Sequence, residues 1–152
     1  MECNHISLLM KTILIAIDPS IFRYGLTQII ATMPQPTDIE TADTCEAALA
    51  LLDSRCFDLL ITDLHPEILR PVKEKCPDIK VMIYTSADEK TFAIDNLLAG
   101  ADGYLSKSAK KEEMEYAVKT VLNGEKYMSG AVRQEMLNQL CLKRRAGHKR
   151  AY

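Results

Sequence analysis

Long apolar runs and tryptophan are both missing from this 152-residue chain. No stretch approaches the roughly 18 consecutive apolar residues of a membrane-spanning helix, so we expect no membrane span. The first residues also lack the basic and apolar regions of a secretory signal. Because 47% of the residues are hydrophobic, we expect one soluble domain that is large enough to bury a core.

Cysteine is present without any paired spacing. The chain has five cysteines, an odd number, and none of them forms a C-x-x-C pair. An even number of cysteines is typical of disulfide frameworks, and C-x-x-C pairs are typical of zinc sites, so we expect buried thiols in a reducing cytosol rather than either of these. The cysteines are Cys3, Cys45, Cys56, Cys76 and Cys141.

Glycine-rich phosphate loops are missing as well. Neither G-x-x-x-x-G-K-[ST] nor G-x-G-x-x-G occurs, which argues against nucleotide and dinucleotide binding. The segment 18–21 is not the Ser/Thr/Gly-rich loop that a flavin phosphate needs. A phosphatase with Asp63 as its nucleophile would want a second acid two residues later, and that residue is His65.

Charge is distributed unevenly along the chain. The net charge is -2, but five of the 19 basic residues lie in the last ten positions. The rest of the chain carries 14 basic and 21 acidic residues, a net charge of -7. Such an acidic body is compatible with a cation site. The basic tail could contact nucleic acid or a phosphorylated partner, or it could be a solvated, disordered end.

Short apolar runs alternate with helical patterns along most of the sequence. This alternation predicts an α/β fold with a doubly wound parallel sheet. The predicted strands are 12–17, 37–42, 59–62, 79–84 and 103–106. The predicted helices include residues 21–33, 68–75 and 108–122. Another is capped by Thr44 and ends at residue 52, and a further one begins with a capping box at 86–89 and reaches residue 98, just before Gly100. The last begins at Ser129 and has Val132, Met136, Leu137 and Leu140 on one face.

Polar side chains follow four of the predicted strands. They are Asp18, Asp63, Thr85 and Lys107. The carboxyl ends of parallel strands meet at one edge of a sheet, where ligands usually bind. Two carboxylates, a hydroxyl and an ammonium at that edge can bind a divalent cation and position a phosphoryl group.

These residues and their surroundings resemble a known family. The segments 13–18, 22–26, 58–64, 81–85 and 100–107 are similar, in this order, to the motifs of response-regulator receiver domains of bacterial two-component systems. The similarity covers about residues 11–142 and is greatest to the subfamily that carries a LuxR-type helix-turn-helix. It implies a flavodoxin-like sheet of five parallel strands in the order 2-1-3-4-5.

The resemblance assigns a role in phosphoryl transfer to four of the residues. Asp63 would take a phosphoryl group from a histidine kinase or a small phosphodonor, so the domain would not be an enzyme in the usual sense. Mg²⁺ would be held by Asp18, Asp63 and the main-chain carbonyl of His65. Lys107 would pair with a phosphoryl oxygen.

The resemblance also implies a conformational switch at two residues. Thr85 would donate its hydroxyl to the phosphoryl group, and Tyr104 would follow it inward or outward. The helices that begin at Asp88 and Lys110 flank this strand, so we expect a partner or homodimer surface there. A dimer that forms without phosphorylation and leaves this face exposed would defeat that hypothesis.

Each of these side chains also has a simpler structural explanation. Asp18 or Thr85 could cap the helix that follows it, and Lys107 could be a surface lysine near a helix start. Tyr104 could be ordinary strand packing, and His65 an ordinary loop residue. Asp63 is harder to explain in this way, since a carboxylate that ends a buried strand is costly without a partner.

Three departures from the family pattern keep the function open. Ile17 stands where the family usually has the first of two adjacent acids, and the loop after Asp63 is short, with proline one residue early. After residue 142, too few residues remain for a helix-turn-helix. We therefore expect a phospho-receiver, a pseudo-receiver that binds partners without phosphate, or a DNA-binding regulator whose output domain is missing. The predicted division is a disordered extension (1–10), a receiver domain (11–128), and a C-terminal helix with a basic tail (129–152).

Overall fold

A single parallel sheet organises the computed structural model, which describes residues 10–18, 20–63 and 66–149. Its strands follow the order β2-β1-β3-β4-β5, as predicted. The strands are β1 (Lys11–Ala16), β2 (Thr37–Ala42), β3 (Leu59–Thr62), β4 (Lys80–Thr85) and β5 (Gly103–Ser106). The predicted disordered extension lies outside the described residues except for Met10, which is exposed.

Helices cover both faces of the sheet. Within the described ranges they are α1 (Ser20–Ala31), α2 (Cys45–Ser54), α3 (Leu69–Lys75, after a 3-10 turn at Pro66–Ile68), α4 (Glu89–Leu98), α5 (Lys111–Leu122) and α6 (Gly130–Lys149). Ile13 and Ile15 of β1 pack with α1 and α5, whereas Leu14 packs on the other face with α2, α3 and α4. This alternation follows from the two-residue period of a strand. None of the helices in this part of the chain is both long and apolar enough to cross a bilayer.

Helix ends confirm two of the sequence predictions and correct two others. Thr44 caps α2, where its side chain accepts the Ala47 N–H at 3.0 Å, and Gly100 follows α4 with φ of 115°. The predicted capping box at 86–89 is wrong, because Asp88 caps α4 and accepts the Thr91 N–H at 3.0 Å. The reason is that the Ala87 N–H donates to the Thr85 hydroxyl oxygen, which keeps this segment out of the helix.

The start of α5 also differs from the prediction. The helix begins at Lys111 rather than at Ser108, and Lys110 is its N-cap without a side-chain hydrogen bond. The Ser108 N–H donates to the Ser106 side-chain oxygen at 3.2 Å. The Lys107 N–H also donates to the Thr85 carbonyl at 2.8 Å, so the ladder between β4 and β5 continues past the end of β5. The chain therefore stays extended for longer than the capping pattern indicates.

Only the first part of α6 packs against the domain. Ser129 begins it as predicted, with its side-chain oxygen accepting the Val132 N–H at 3.2 Å. Val132 is buried and Met136 packs at the edge of the core beside α4. Leu137 and Leu140, which are predicted to share its face, are 52% and 61% exposed, so only the first part of that face is covered.

Asp102, just before β5, joins several elements at the edge where the strands begin. Its carboxylate accepts hydrogen bonds from Lys73 Nζ at 2.9 Å, Lys126 Nζ at 3.0 Å and the Val81 N–H at 2.9 Å. Burial alone would raise the pKa of Asp102, but these hydrogen bonds and the charge of Lys73 outweigh it and hold the pKa below its ordinary value. This carboxylate therefore ties α3, β4 and the segment after α5 together.

Replacing Asp102 should destabilise the domain strongly. We expect Asp102→Asn to lower the free energy of unfolding by about 2–4 kcal/mol, because two lysines lose a largely buried counter-charge. Asp38→Asn is a matched control: Asp38 is half-exposed beside Arg55, and its loss should cost less than about 1 kcal/mol. Urea unfolding followed by circular dichroism measures both.

The effect should also depend on pH. The pKa of Asp102 is lower in the folded state than in the unfolded chain. The stability that ionised Asp102 contributes is therefore complete above the ordinary carboxyl pKa, and it is lost as the pH falls through the pKa of the folded state. The difference in the free energy of unfolding between the parent chain and Asp102→Asn should therefore become smaller below about pH 4. An unchanged difference in this acidic range would contradict the assigned role.

Candidate functional site

The register of the sheet brings four strand ends to one edge. Ala16 of β1 pairs with Thr62 of β3, and Thr85 of β4 pairs with Ser106 of β5. We call this the carboxyl edge, and its polar residues are Asp18, Asp63, Thr85 and Lys107. The predicted convergence of these residues on one edge therefore follows from the strand pairing.

Asp63 and Lys107 form an ion pair at the carboxyl edge. Lys107 Nζ donates to Asp63 Oδ2 at 3.0 Å, and the two side chains are only 10% and 14% exposed. The backbone of Lys107 is fixed by its hydrogen bond to the Thr85 carbonyl. Because water is largely excluded, this pair interacts more strongly than a surface ion pair of the same length.

An aromatic side chain from α1 lies against the same ammonium group. Lys107 Nζ is 4.6 Å from the centroid of the Phe22 ring, and Phe22 in turn meets Tyr84 edge to face at 6.4 Å. The negative face of an aromatic ring attracts a cation, so Phe22 favours this position of the ammonium. Sequence reasoning did not identify this role of Phe22, because its contact with Lys107 depends on how α1 packs on the sheet.

Thr85 and Tyr104 both bind the peptide groups of Ala87. The Thr85 hydroxyl oxygen accepts the Ala87 N–H at 3.2 Å, and the Tyr104 hydroxyl donates to the Ala87 carbonyl at 3.3 Å. Tyr104 points inward and is 1% exposed. Burial raises its pKa, and the charges of Asp88 and Glu89 raise it further, so the phenol stays protonated and able to donate. Sequence reasoning did not identify Ala87, since only its backbone takes part.

The predicted metal ligand Asp18 is exposed. The residue before it, Ile17, is fully buried, and its carbonyl accepts a hydrogen bond from Arg23 Nη1 at 3.0 Å. His65 lies outside the described residues. In the residues that are described, no three His, Cys, Asp or Glu side chains are grouped closely enough to hold a metal.

Two carboxylates nevertheless fit the demands of Mg²⁺. Asp18 and Asp63 follow the neighbouring strands β1 and β3. Magnesium is usually bound through one or two carboxylates, with water and phosphate oxygens completing the octahedron. The arrangement therefore suits a cation that arrives together with a phosphoryl group better than a cation held by the protein alone.

Comparison with known proteins places this geometry in a family. The family model of the response regulator receiver domain matches residues 13–119. Response regulator GacA of Pseudomonas aeruginosa is 30% identical over 133 residues, which cover 84% of this chain and 62% of that protein. The chain thus spans about three fifths of the length of the curated relatives it matches.

Solved structures agree with this assignment. A two-component response regulator of the LuxR family from Aurantimonas sp. SI85-9A1 is 26% identical, with a TM-score of 0.76 over 87% of this chain and 99% of that one. A response regulator from Burkholderia pseudomallei, with a phosphorylated aspartic acid, a calcium ion and citrate, shares the fold with a TM-score of 0.64 at 23% identity, over 75% of this chain and 69% of that one. The chain belongs to the response regulator receiver domain family, and its relatives are LuxR-type response regulators.

Proposed function

We propose that this receiver domain accepts a phosphoryl group on Asp63 from a histidine kinase in a Mg²⁺-dependent phosphorelay. The observation that carries the proposal is the shielded pair of Asp63 and Lys107 at the carboxyl edge. A cytoplasmic histidine kinase domain is the expected donor, because the chain belongs to a two-component family.

The chemistry is nucleophilic attack by a carboxylate. An Asp63 oxygen forms a bond to phosphorus, the bond from phosphorus to the kinase histidine nitrogen breaks, and an acyl phosphate results. Lys107 already lies 3.0 Å from Asp63 and can follow the negative charge onto a phosphoryl oxygen. The Phe22 ring lies 4.6 Å from Nζ and favours this position of the ammonium.

Asp18, Asp63 and the main-chain carbonyl of His65 are the proposed Mg²⁺ ligands. When bound, the metal would reduce repulsion between the attacking carboxylate and the phosphoryl oxygens. The structure from Burkholderia pseudomallei, which shares the fold, contains both a phosphorylated aspartic acid and a calcium ion, and this supports the proposal of a divalent cation. Carboxylate and carbonyl oxygens are the hard ligands that Mg²⁺ takes.

The Ala87 peptide is the proposed link to a conformational readout. A phosphoryl oxygen on Asp63 would attract the hydroxyl hydrogen of Thr85, and any movement of Thr85 changes its contact with the Ala87 N–H. Tyr104 holds the carbonyl of the same residue and would respond. The size of the switch is limited by how differently the two conformations contact the phosphoryl group.

A partner or homodimer surface on α4 and α5 follows from this switch. Phe92 and Leu98 of α4 and Tyr116 of α5 are 48%, 76% and 64% exposed. The start of α6 covers another part of α4, so an approaching partner would use the remaining face. Contact with nucleic acid would belong to an output domain of the kind LuxR-type regulators carry.

A pseudo-receiver is the second candidate function, and Ile17 favours it. The side chain at this position is fully buried and apolar, so it supplies no oxygen for a metal. A domain of this kind would bind its partner without phosphate and keep the same fold.

Phosphorylation should be visible in the intact mass. With Mg²⁺ and acetyl phosphate, we expect the parent chain to gain one phosphoryl group and Asp63→Asn to gain none. Asp43→Asn is the matched control, because Asp43 is an exposed acid just after β2, and it should be phosphorylated normally. Lys107→Ala should react about 100-fold more slowly or worse. No gain in the parent at any Mg²⁺ concentration would favour the pseudo-receiver.

An acid at position 17 should strengthen the binding of Mg²⁺. We expect Ile17→Asp to lower the Mg²⁺ concentration for half-maximal phosphorylation several-fold, at a cost of about 2–5 kcal/mol in stability from the loss of a buried side chain. Ile17→Ala creates a similar cavity without a carboxylate and should keep the parent's Mg²⁺ dependence. Equal Mg²⁺ dependence in the two variants would show that position 17 does not contribute to the metal site.

Tyrosine fluorescence can report the proposed switch, because the chain has six tyrosines and no tryptophan. Phosphorylation should change the emission of the parent chain, and Tyr104→Phe should lose most of that change. Tyr24→Phe removes the hydroxyl of a residue on α1 that is 68% exposed, and this variant should keep the change in emission. If Tyr104→Phe responds like the parent, Tyr104 is strand packing and not the readout.

A further inference from the structure

Two cysteines that are far apart in the sequence meet at the edge of the sheet opposite Asp63. Cys56 lies in the loop between α2 and β3, and Cys76 lies directly after α3. Both therefore precede strands, at the amino-terminal edge of the sheet. Neither takes part in the phosphoryl site.

The two cysteines lie side by side. Both line one cavity, and the Cys56 side chain and the Phe57 backbone both act on the pKa of the Cys76 thiol. The surrounding backbone is fixed by the ladder: the Asp58 N–H donates to the Thr12 carbonyl at 2.9 Å, and the Ile79 N–H donates to the Cys76 carbonyl at 3.1 Å. Backbone hydrogen bonds thus fix the segments that carry Cys56 and Cys76.

The surroundings of the pair give the two sulfurs different access to solvent. Cys56 is exposed and Cys76 is only 3% exposed. Both line a cavity of about 220 Å³ together with Asp58 and Asp78. Within the described residues, no three His, Cys, Asp or Glu side chains are close enough together to hold a metal, and the chemistry that the pair offers is that of two neighbouring thiols.

We propose that Cys56 and Cys76 form a redox modification site, which a low-molecular-weight disulfide such as oxidised glutathione converts into an intramolecular disulfide. The exposed Cys56 reacts first because a small disulfide can reach it. The buried Cys76 then resolves the mixed disulfide from within the cavity.

Both steps are thiol–disulfide exchanges. The Cys56 thiolate attacks one sulfur of oxidised glutathione, the glutathione S–S bond breaks, and the released thiolate takes up the proton that Cys56 gave to solvent. Cys76 then loses its proton to solvent and attacks the Cys56 sulfur, and the second glutathione leaves as a thiolate and is protonated. In total, two protein thiols are oxidised and one oxidised glutathione is reduced to two glutathione molecules.

The order of the steps agrees with the environment of Cys76. Burial, followed by the hydrogen bond with Cys56, raises its pKa, so Cys76 stays a thiol until a mixed disulfide forms beside it. The finished disulfide would close a ring from residue 56 to residue 76. This ring contains β3, Asp63 and α3, and it restricts the unfolded chain.

The test uses the full chain with Cys3→Ser, Cys45→Ser and Cys141→Ser, which leaves only the proposed pair. After incubation with oxidised glutathione, we expect the loss of two hydrogens, a peptide cross-linked between Cys56 and Cys76, and a thermal midpoint raised by roughly 5–10 °C. Adding Cys76→Ser should leave one glutathione attached to Cys56. Adding Cys56→Ser should leave the chain unmodified, because Cys76 is buried.

Three results would overturn the proposal. One is a glutathione adduct that persists in the chain with both cysteines. Another is a cross-link that forms only in urea, which would show that the folded geometry does not promote it. The third is rapid modification of Cys76 in the Cys56→Ser variant. The natural chain, treated in the same way and mapped by mass spectrometry, gives the same answer if the triple substitution fails to fold.

Discussion

The parallel register of the sheet determines which side chains can meet in this domain. Asp63 and Lys107 are 44 residues apart in sequence, yet their strand ends bring Nζ and Oδ2 to 3.0 Å. The same register places Asp102 at the opposite edge, where its two lysines hold α3 and the segment after α5. These charged groups lie at the two ends of the strands, because β1, β3, β4 and β5 are largely buried on both faces, whereas β2 at the edge keeps Asp38 and Glu40 half-exposed.

The predictable parts of the fold were those that local patterns determine. Short apolar runs identified the strands, and their order along the chain implied a parallel sheet with a common carboxyl edge. Thr44 and Gly100 marked helix ends because capping depends on one hydrogen bond or one backbone angle. The placement of Asp63 beside Lys107 follows in the same way, since both directly follow strands.

Features that depend on contacts between distant segments could not be predicted. Asp88 rather than Ser86 caps α4, because Thr85 and Tyr104 hold Ala87 outside the helix. The contact of Phe22 with Lys107 needs the packing of α1 on the sheet. The meeting of Cys56 with Cys76 has the same cause, for their spacing of 20 residues has no pattern that favours pairing.

Ile17 changes the charge balance at the carboxyl edge. With it, the proposed metal and phosphoryl site has two carboxylates, Asp18 and Asp63, and one ammonium, Lys107. A third carboxylate would add repulsion that only a cation could relieve, so its absence weakens the need for metal before phosphoryl transfer. Phosphorylation replaces the single negative charge of the Asp63 carboxylate with about -1.5 to -2 on the acyl phosphate, which restores that need. At the proposed site, the affinity for Mg²⁺ should therefore depend more strongly on the phosphoryl group than it does in a receiver with two adjacent acids, and metal and phosphate would stabilise each other at Asp63.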